Sequence, residues 1–267
     1  MSGSVKLFFA FAKVSMLTQM EYRMAFVVRT LGKLLDFGGS FAILAIILHR
    51  FEGIGGWSTY EVLLLYGLNF LTYATAATFA MPIHNISNRI RSGQLDAVLT
   101  RPVNPLYLLI CQNASAGYMG NYVLGVGVLI FAVSNLDITI TAGSVALLVV
   151  SSLGGVLIHV SALIATAVPS FWLLKNRALA SIFYWEANRF VDYPIAIYSR
   201  PVQILLTFVL PYAFISFYPA GAFLGKTDQA VFSPVLYYLP VLVGVVCFWG
   251  AYQLWKKGLN AYESSGS

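Results

Sequence analysis

The amino-acid sequence predicts an all-α protein embedded in a membrane, with six transmembrane helices and both termini in the cytoplasm. Three observations predict it. The composition is 59% hydrophobic and only 10% charged over 267 residues, outside the range of ordinary soluble domains. The few charges bound long uncharged stretches within Glu61 to Arg89, Arg101 to Asp137, Asp137 to Lys175, Arg200 to Lys226 and Asp228 to Lys256, each long enough for the roughly 20 apolar residues that cross a ~30 Å hydrocarbon core. Finally, all but Arg50 and Lys226 of the 16 basic residues fall in alternate gaps between these stretches. That bias marks the cytoplasmic side.

The spans are expected at about 24–48, 59–83, 106–133, 143–168, 201–218 and 235–255 in a single transmembrane domain covering 1–267. Ahead of them, residues 5–20 place Lys6 and Lys13 two helical turns apart among Phe and Leu, which suits a helix lying in the cytoplasmic interface and retained there. The first span carries Arg29, Lys33 and Asp36 on one helical face in its cytoplasmic half. These residues either snorkel to the head groups and pair with each other, or line an inner-face path or interface. In the other spans His159 is the one ionisable residue expected at mid-membrane, and it reads as hydrogen-bonded structure rather than a proton relay.

Small residues recur in the middle spans: Ala74, Ala76 and Ala77 in the second, Gly117, Gly120, Gly125 and Gly127 in the third, Gly154 and Gly155 in the fourth. They let helix backbones approach closely, within one subunit or across a dimer. Cys111 and Cys247 lie inside apolar spans toward opposite faces, so no disulfide is expected between them. The net charge of +6 is a topology signal and a contact with anionic lipid, not a nucleic-acid interface.

Between the second and third spans lies the most informative polar segment, 92–102. Gly93 can start a short helix, Leu95, Val98 and Leu99 make one apolar face, and Pro102 stops it. Gln94, Asp96, Thr100 and Arg101 complete a two-turn amphipathic element presented to the cytoplasm, with Asp96 and Arg101 on its exposed side. Such an element suits docking of a cytoplasmic partner. Residues 171–200 mix Lys175, Arg177, Glu186, Arg189 and Asp192 with Trp172, Phe183, Tyr184, Trp185 and Phe190. They read as an amphipathic segment along the inner interface: a second partner contact, a lateral gate for a lipid-like substrate, or a membrane-surface linker. Residues 217–234, rich in Pro and Gly, are expected to form a short re-entrant element dipping from the outer face.

The segments Ser92 to Pro105, Arg189 to Pro201, Pro211 with Phe217 to Gly225, and Gly258 to Ser267 resemble the type-2 ABC exporter permeases of bacteria, over the full chain. The resemblance implies that 92–102 is the coupling helix that docks on an ABC ATPase, with Gly93, Gln94, Leu95, Asp96, Val98, Leu99, Thr100, Arg101 and Pro102 as its residues. It also implies an N-terminal interfacial helix, two permease subunits (the second the same or a related chain), two ATPase copies and location in the bacterial inner membrane. It does not supply a substrate. ATP must then bind to the partner, because Gly221 to Thr227 imitates a phosphate-binding loop but is one residue short between its glycines and falls on the outer face. The chain is expected to hold no cofactor and to catalyse nothing itself.

The function expected is that of an exporter subunit forming half of a translocation path for an amphipathic or lipid-linked substrate. The alternative is a stand-alone secondary transporter or channel, which would want mid-membrane charges or paired inverted halves. A membrane enzyme would need clustered His, Asp, Glu or Cys, whereas His49, His84 and His159 fall on different helices.

Overall fold

The protein was analysed as a computed structural model, which describes residues 53–112, 118–173, 177–229 and 231–262 together with isolated positions between 24 and 46. The expected interfacial helix at 5–20, and Arg29, Lys33 and Asp36, lie outside the described residues. The named elements are all helical, joined by one isolated β-bridge between Ile54 and Trp57.

Helix α1, Thr59–His84, is the centre of the bundle. Its start is fixed by a capping box, in which the Ser58 amide donates to Glu61 Oε2 at 2.7 Å and the Glu61 amide to Ser58 Oγ at 3.4 Å. It is apolar all round rather than along a stripe, the pattern of a helix enclosed on every side, and residues 62 to 70 are buried without interruption. Thr72, Thr75 and Thr78 return their hydroxyls to the carbonyls of Leu68, Leu71 and Ala74 at 2.8 Å each, so these three hydroxyls are satisfied within the helix. Pro82 lies in the last turn; the chain continues as α2, Ile86–Arg91, then α3, Asp96–Leu99, and α4, Pro105–Gln112.

Helices α5, Met119–Ser134, and α6, Ala142–Ala167, flank α1. The final helix α11, Pro240–Asn260, packs along α6. Here the backbones touch: a Cβ on Gly154 would stand 2.3 Å from the Pro240 carbonyl oxygen, and one on Gly244 2.6 Å from that of Gly154. Only glycine permits this approach. Thr141 and Ser144 cap α6 reciprocally, at 3.1 and 3.0 Å.

Two segments take courses that differ from the expected ones. Residues 177–192, comprising α7 (Arg177–Ala180), a π-helical stretch Ser181–Glu186, α8 (Ala187–Arg189) and a 3-10 turn Phe190–Asp192, do not stay at the His84 end of α1. Trp185 packs on His84 and Tyr73. About two turns further on, Asp192 Oδ1 accepts from Asn69 Nδ2 at 2.8 Å. Ile197 then lies against Gly55, just ahead of the Thr59 end. The segment therefore runs lengthwise beside α1.

Residues 201–218, expected as one straight span, are bent: Arg200–Val209 and Tyr212–Phe223 meet at 73°, and Pro211 lies at the break. The first limb is α9, Arg200–Ile204, continued by a π-helical turn Leu205–Val209; the second contains α10, Phe217–Phe223. The Tyr212 hydroxyl donates to the Phe183 carbonyl at 2.6 Å and Ser216 Oγ to that of Val191 at 2.9 Å. The tip thus lies halfway down 177–192 and the second limb climbs back. The bend falls within 200–223, and the pair is either one broken span or a re-entrant hairpin.

By length and composition, Thr59–Arg91 and Ala142–Phe171 can each cross a membrane, and the bent pair is a third candidate. Buried apolar residues divide into two clusters. One, at the Thr59 end, gathers Trp57, Tyr212, Phe217, Tyr218 and Tyr237 around Val62 to Leu68. The other, at the His84 end, gathers Ile83, Ile86, Leu95, Val98, Leu106 and Trp255.

Candidate functional site

The element at 92–102 forms where α2 ends. Gly93 adopts φ +67, in the left-handed region that favours glycine, and its amide bonds the Ile90 carbonyl at 3.2 Å. The chain reverses there, and α3 begins at Asp96. Leu95 and Val98 point into the core, at 0% and 5% exposure, and Leu99 is half-buried. On the opposite side Gln94, Ala97, Thr100, Arg101 and Pro102 are exposed, with Thr100 Oγ1 donating to the Ala97 carbonyl at 3.3 Å. The arrangement is a short ridge on an apolar root.

Asp96 is not part of that ridge, against the expectation that it would share the exposed side with Arg101. It is half-buried, and Oδ1 accepts from the Tyr262 hydroxyl at 2.9 Å. Burial, and then the bond to Asp96, push the Tyr262 phenol above its usual range, so it remains a donor throughout the physiological range. A second tie lies beside it. Asn104 Oδ1 caps α4 by accepting from the Leu106 and Tyr107 amides at 3.0 and 3.2 Å, while Nδ2 donates to the Tyr252 hydroxyl at 2.6 Å. Phe171 closes the corner, its ring 5.3 Å from Trp255 and 6.3 Å from Tyr262. Tyr252 and Tyr262 were not marked out by sequence reasoning; their aromatic-plus-hydroxyl character at the end of a helix was the available signal.

At the opposite end, Lys226 occupies the sequence that imitates a phosphate loop. Its Nζ lies 2.6 Å from Glu61 Oε2, 3.0 Å from the Gly56 carbonyl and 5.1 Å from the Trp57 ring centroid. Gly221 of the same stretch faces the Tyr237 ring so closely that a Cβ would overlap it. The loop is a clasp between the bent pair and the start of α1. Midway between the ends, His159 is fully buried between the rings of Tyr73 and Tyr184, each 6.0 Å away. Among the described residues no three His, Cys, Asp or Glu side chains group as metal ligands.

An apolar all-helical bundle with two helices long and apolar enough to cross a membrane suits a membrane-embedded protein. The chain belongs to the ABC-2 family of transporters: the family described as ABC-2 family transporter protein matches residues 34–266. It is accordingly the membrane permease part of an ABC transporter, and permeases of this family normally work with an ABC ATPase. Comparison with curated proteins and with solved structures gives no match.

Proposed function

We propose that this chain is one of two permease subunits of an ATP-driven exporter in the bacterial inner membrane, coupled through 92–102 to a separate ATPase that binds the ATP. The path for an amphipathic or lipid-linked substrate lies between this subunit and a second, identical or related one, and two ATPase copies drive it. Six crossings with both termini in the cytoplasm account for the charge distribution apart from Arg189 and Arg200. The fifth crossing is best assigned to 177–192, with 200–223 as a hairpin dipping from the outer face. The His84 end of α1 is then cytoplasmic, carrying Arg89, Arg91, Arg101, Lys256 and Lys257, and the Thr59 end faces outward.

The observation that carries the coupling role is the ridge itself. Gln94, Ala97, Thr100 and Arg101 are exposed above a fully buried Leu95, and the base is tied to the last helix through Asp96–Tyr262 and Asn104–Tyr252. A partner that moves the ridge therefore moves the bundle.

Mild-detergent purification with mass spectrometry of co-purifying proteins tests this, comparing the native chain with Ala97→Arg and Thr100→Arg. These positions are exposed, so the variants fold, whereas substitution of Leu95 would damage the core. An ATPase that follows the native chain and leaves the variants supports the coupling assignment. If no ATPase accompanies the native chain, a stand-alone transporter or channel replaces this reading.

A further inference from the structure

Glu186 and Arg189 combine charge, exposure and depth in a way the permease reading leaves unused. Their neighbours fix the depth. Trp185 packs on Tyr73 and on His84, at 6.2 and 6.1 Å between ring centroids, and Asp192 bonds Asn69 at 2.8 Å. At ~1.5 Å per residue, Asn69 and Tyr73 lie roughly 15 and 21 Å from the Thr59 end of α1, and about 22 and 16 Å from the His84 end. Trp185 lies between the levels of Tyr73 and His84, so Glu186 falls between the middle of α1 and its His84 end, and Arg189, one turn on toward Asp192, falls near the middle.

Arg189 Nε lies 3.5 Å from Glu186 Oε2, and the two side chains are 78% and 58% exposed. Asp192 on the same segment turns inward to Asn69, but these two turn out. An ion pair facing acyl chains at this depth is costly, and pairing with Glu186 holds Arg189 away from the interface to which a lone arginine would snorkel. At similar depth the outward faces of α6 and α11 are apolar, with Val150, Leu153, Val246 and Trp249 exposed. Among the described residues, this face alone presents charge there.

We propose that Glu186 and Arg189 form a polar rung on the water-lined path between the two subunits, and that the rung takes the zwitterionic head group of an amphiphile whose apolar part lies on Ile182, Phe183 and Phe190. Those three flank the pair and are 59%, 44% and 40% exposed. The pair is neutral overall: a head group of one sign gains from one member and loses to the other, whereas a zwitterion meets both. The inference rests on the permease reading and on 177–192 being the fifth crossing.

Two measurements test it on the complex with its ATPase, in vesicles. The first is labelling by a membrane-impermeant cationic methanethiosulfonate in a background carrying Cys111→Ala and Cys247→Ala. Glu186→Cys and Arg189→Cys are expected to react about tenfold faster than the lipid-facing Val246→Cys, because only a hydrated thiol ionises. Reaction no faster than Val246→Cys overturns the proposal, as does protection accompanied by a disulfide between copies, which would make the pair a sealed contact with the second subunit. The second compares stimulation of ATP hydrolysis by lysophosphatidylcholine and lysophosphatidylglycerol. The zwitterion is expected to be preferred, and Glu186→Gln to move the ratio about fivefold toward the anion; an unchanged ratio overturns the head-group assignment. A native chain that purifies without an ATPase fails the permease reading instead, while the labelling pattern still reports whether the face is wet.

Discussion

The two ends of the bundle are held together by different means. The Thr59 end is aromatic and clamped by charge: Trp57, Phe217, Tyr218 and Tyr237 pack ring on ring, with centroids 5.2 to 6.1 Å apart, and Lys226 pairs with Glu61 with side chains only 18% and 13% exposed. The His84 end mixes Ile83, Ile86, Leu95 and Leu106 with the rings of Phe171 and Trp255 beneath a small helix, and it is held by hydrogen bonds without an ion pair, from Asn104 to the Tyr252 hydroxyl and from the Tyr262 hydroxyl to Asp96. An ion pair screened from water resists separation; single tyrosine bonds exchange at little cost. The difference teaches which end is built to stay shut and which to shift.

The largest effect is expected at the clamped end. Gly221→Leu drives a side chain into the Tyr237 ring, and overpacking of this kind costs about 3 kcal/mol. Its melting temperature, followed by size-exclusion chromatography after heating, should fall well below that of Ala97→Arg; an equal value breaks the comparison. Next comes Lys226→Met. It leaves Glu61 without its cation in a poorly hydrated setting and costs about 2 kcal/mol, with the added consequence that vesicles bearing the complex leak an entrapped dye without ATP. Restoring tightness with Lys226→Arg would sharpen the assignment, because the cation rather than the lysine is then what matters.

At the other end stability should change little and coupling more. Asp96→Ala removes the acceptor for Tyr262 and is expected to cost about 1 kcal/mol, yet to lower transport per ATP hydrolysed severalfold. Asp96→Asn keeps an acceptor oxygen and should retain most of the coupling. The smallest effect on stability belongs to Tyr252→Phe, below about 1 kcal/mol because Asn104 is exposed and water replaces the hydroxyl. A large destabilisation by Tyr252→Phe, measured the same way, would show the two ends to be equally rigid.

The helical class and the short helix after Gly93 were legible in the sequence, because they depend on local pattern: uncharged length for the long helices, Gly93 and the Leu95, Val98 and Leu99 spacing for the short one. The course of 177–192 was not. Its Glu186, Asn188, Arg189 and Asp192 make it too polar for a window tuned to lipid-facing helices, and the pairing that accommodates one of them, Asp192 with Asn69, joins residues far apart in the chain. The apolar run at 201–218 was legible and its 73° bend was not, because a broken helix needs the same composition as a straight one and Pro211 alone marks the break. Arg200 donates to the Val231 carbonyl at 3.0 Å and lies 4.1 Å above the Phe232 ring, partners too far along the chain for local pattern to reveal. Asp96 was placed on the right helix and the wrong side of it, since its tyrosine partner lies at the far end of the sequence.

The glycine contact between α6 and α11 has a mechanical consequence. Two backbones touching at Gly154, Pro240 and Gly244 leave no side chains between them to flex, so the pair transmits force as a single strut. One end of that strut is hitched to the 92–104 segment by Tyr252 and Tyr262, and near its middle Gly155 abuts the backbone of Ile215 in the bent pair, where a Cβ would lie 3.2 Å from the carbonyl oxygen. A push on that segment then arrives at the bent pair as displacement rather than as repacking, and the bulk of the residue at position 155 sets the backlash.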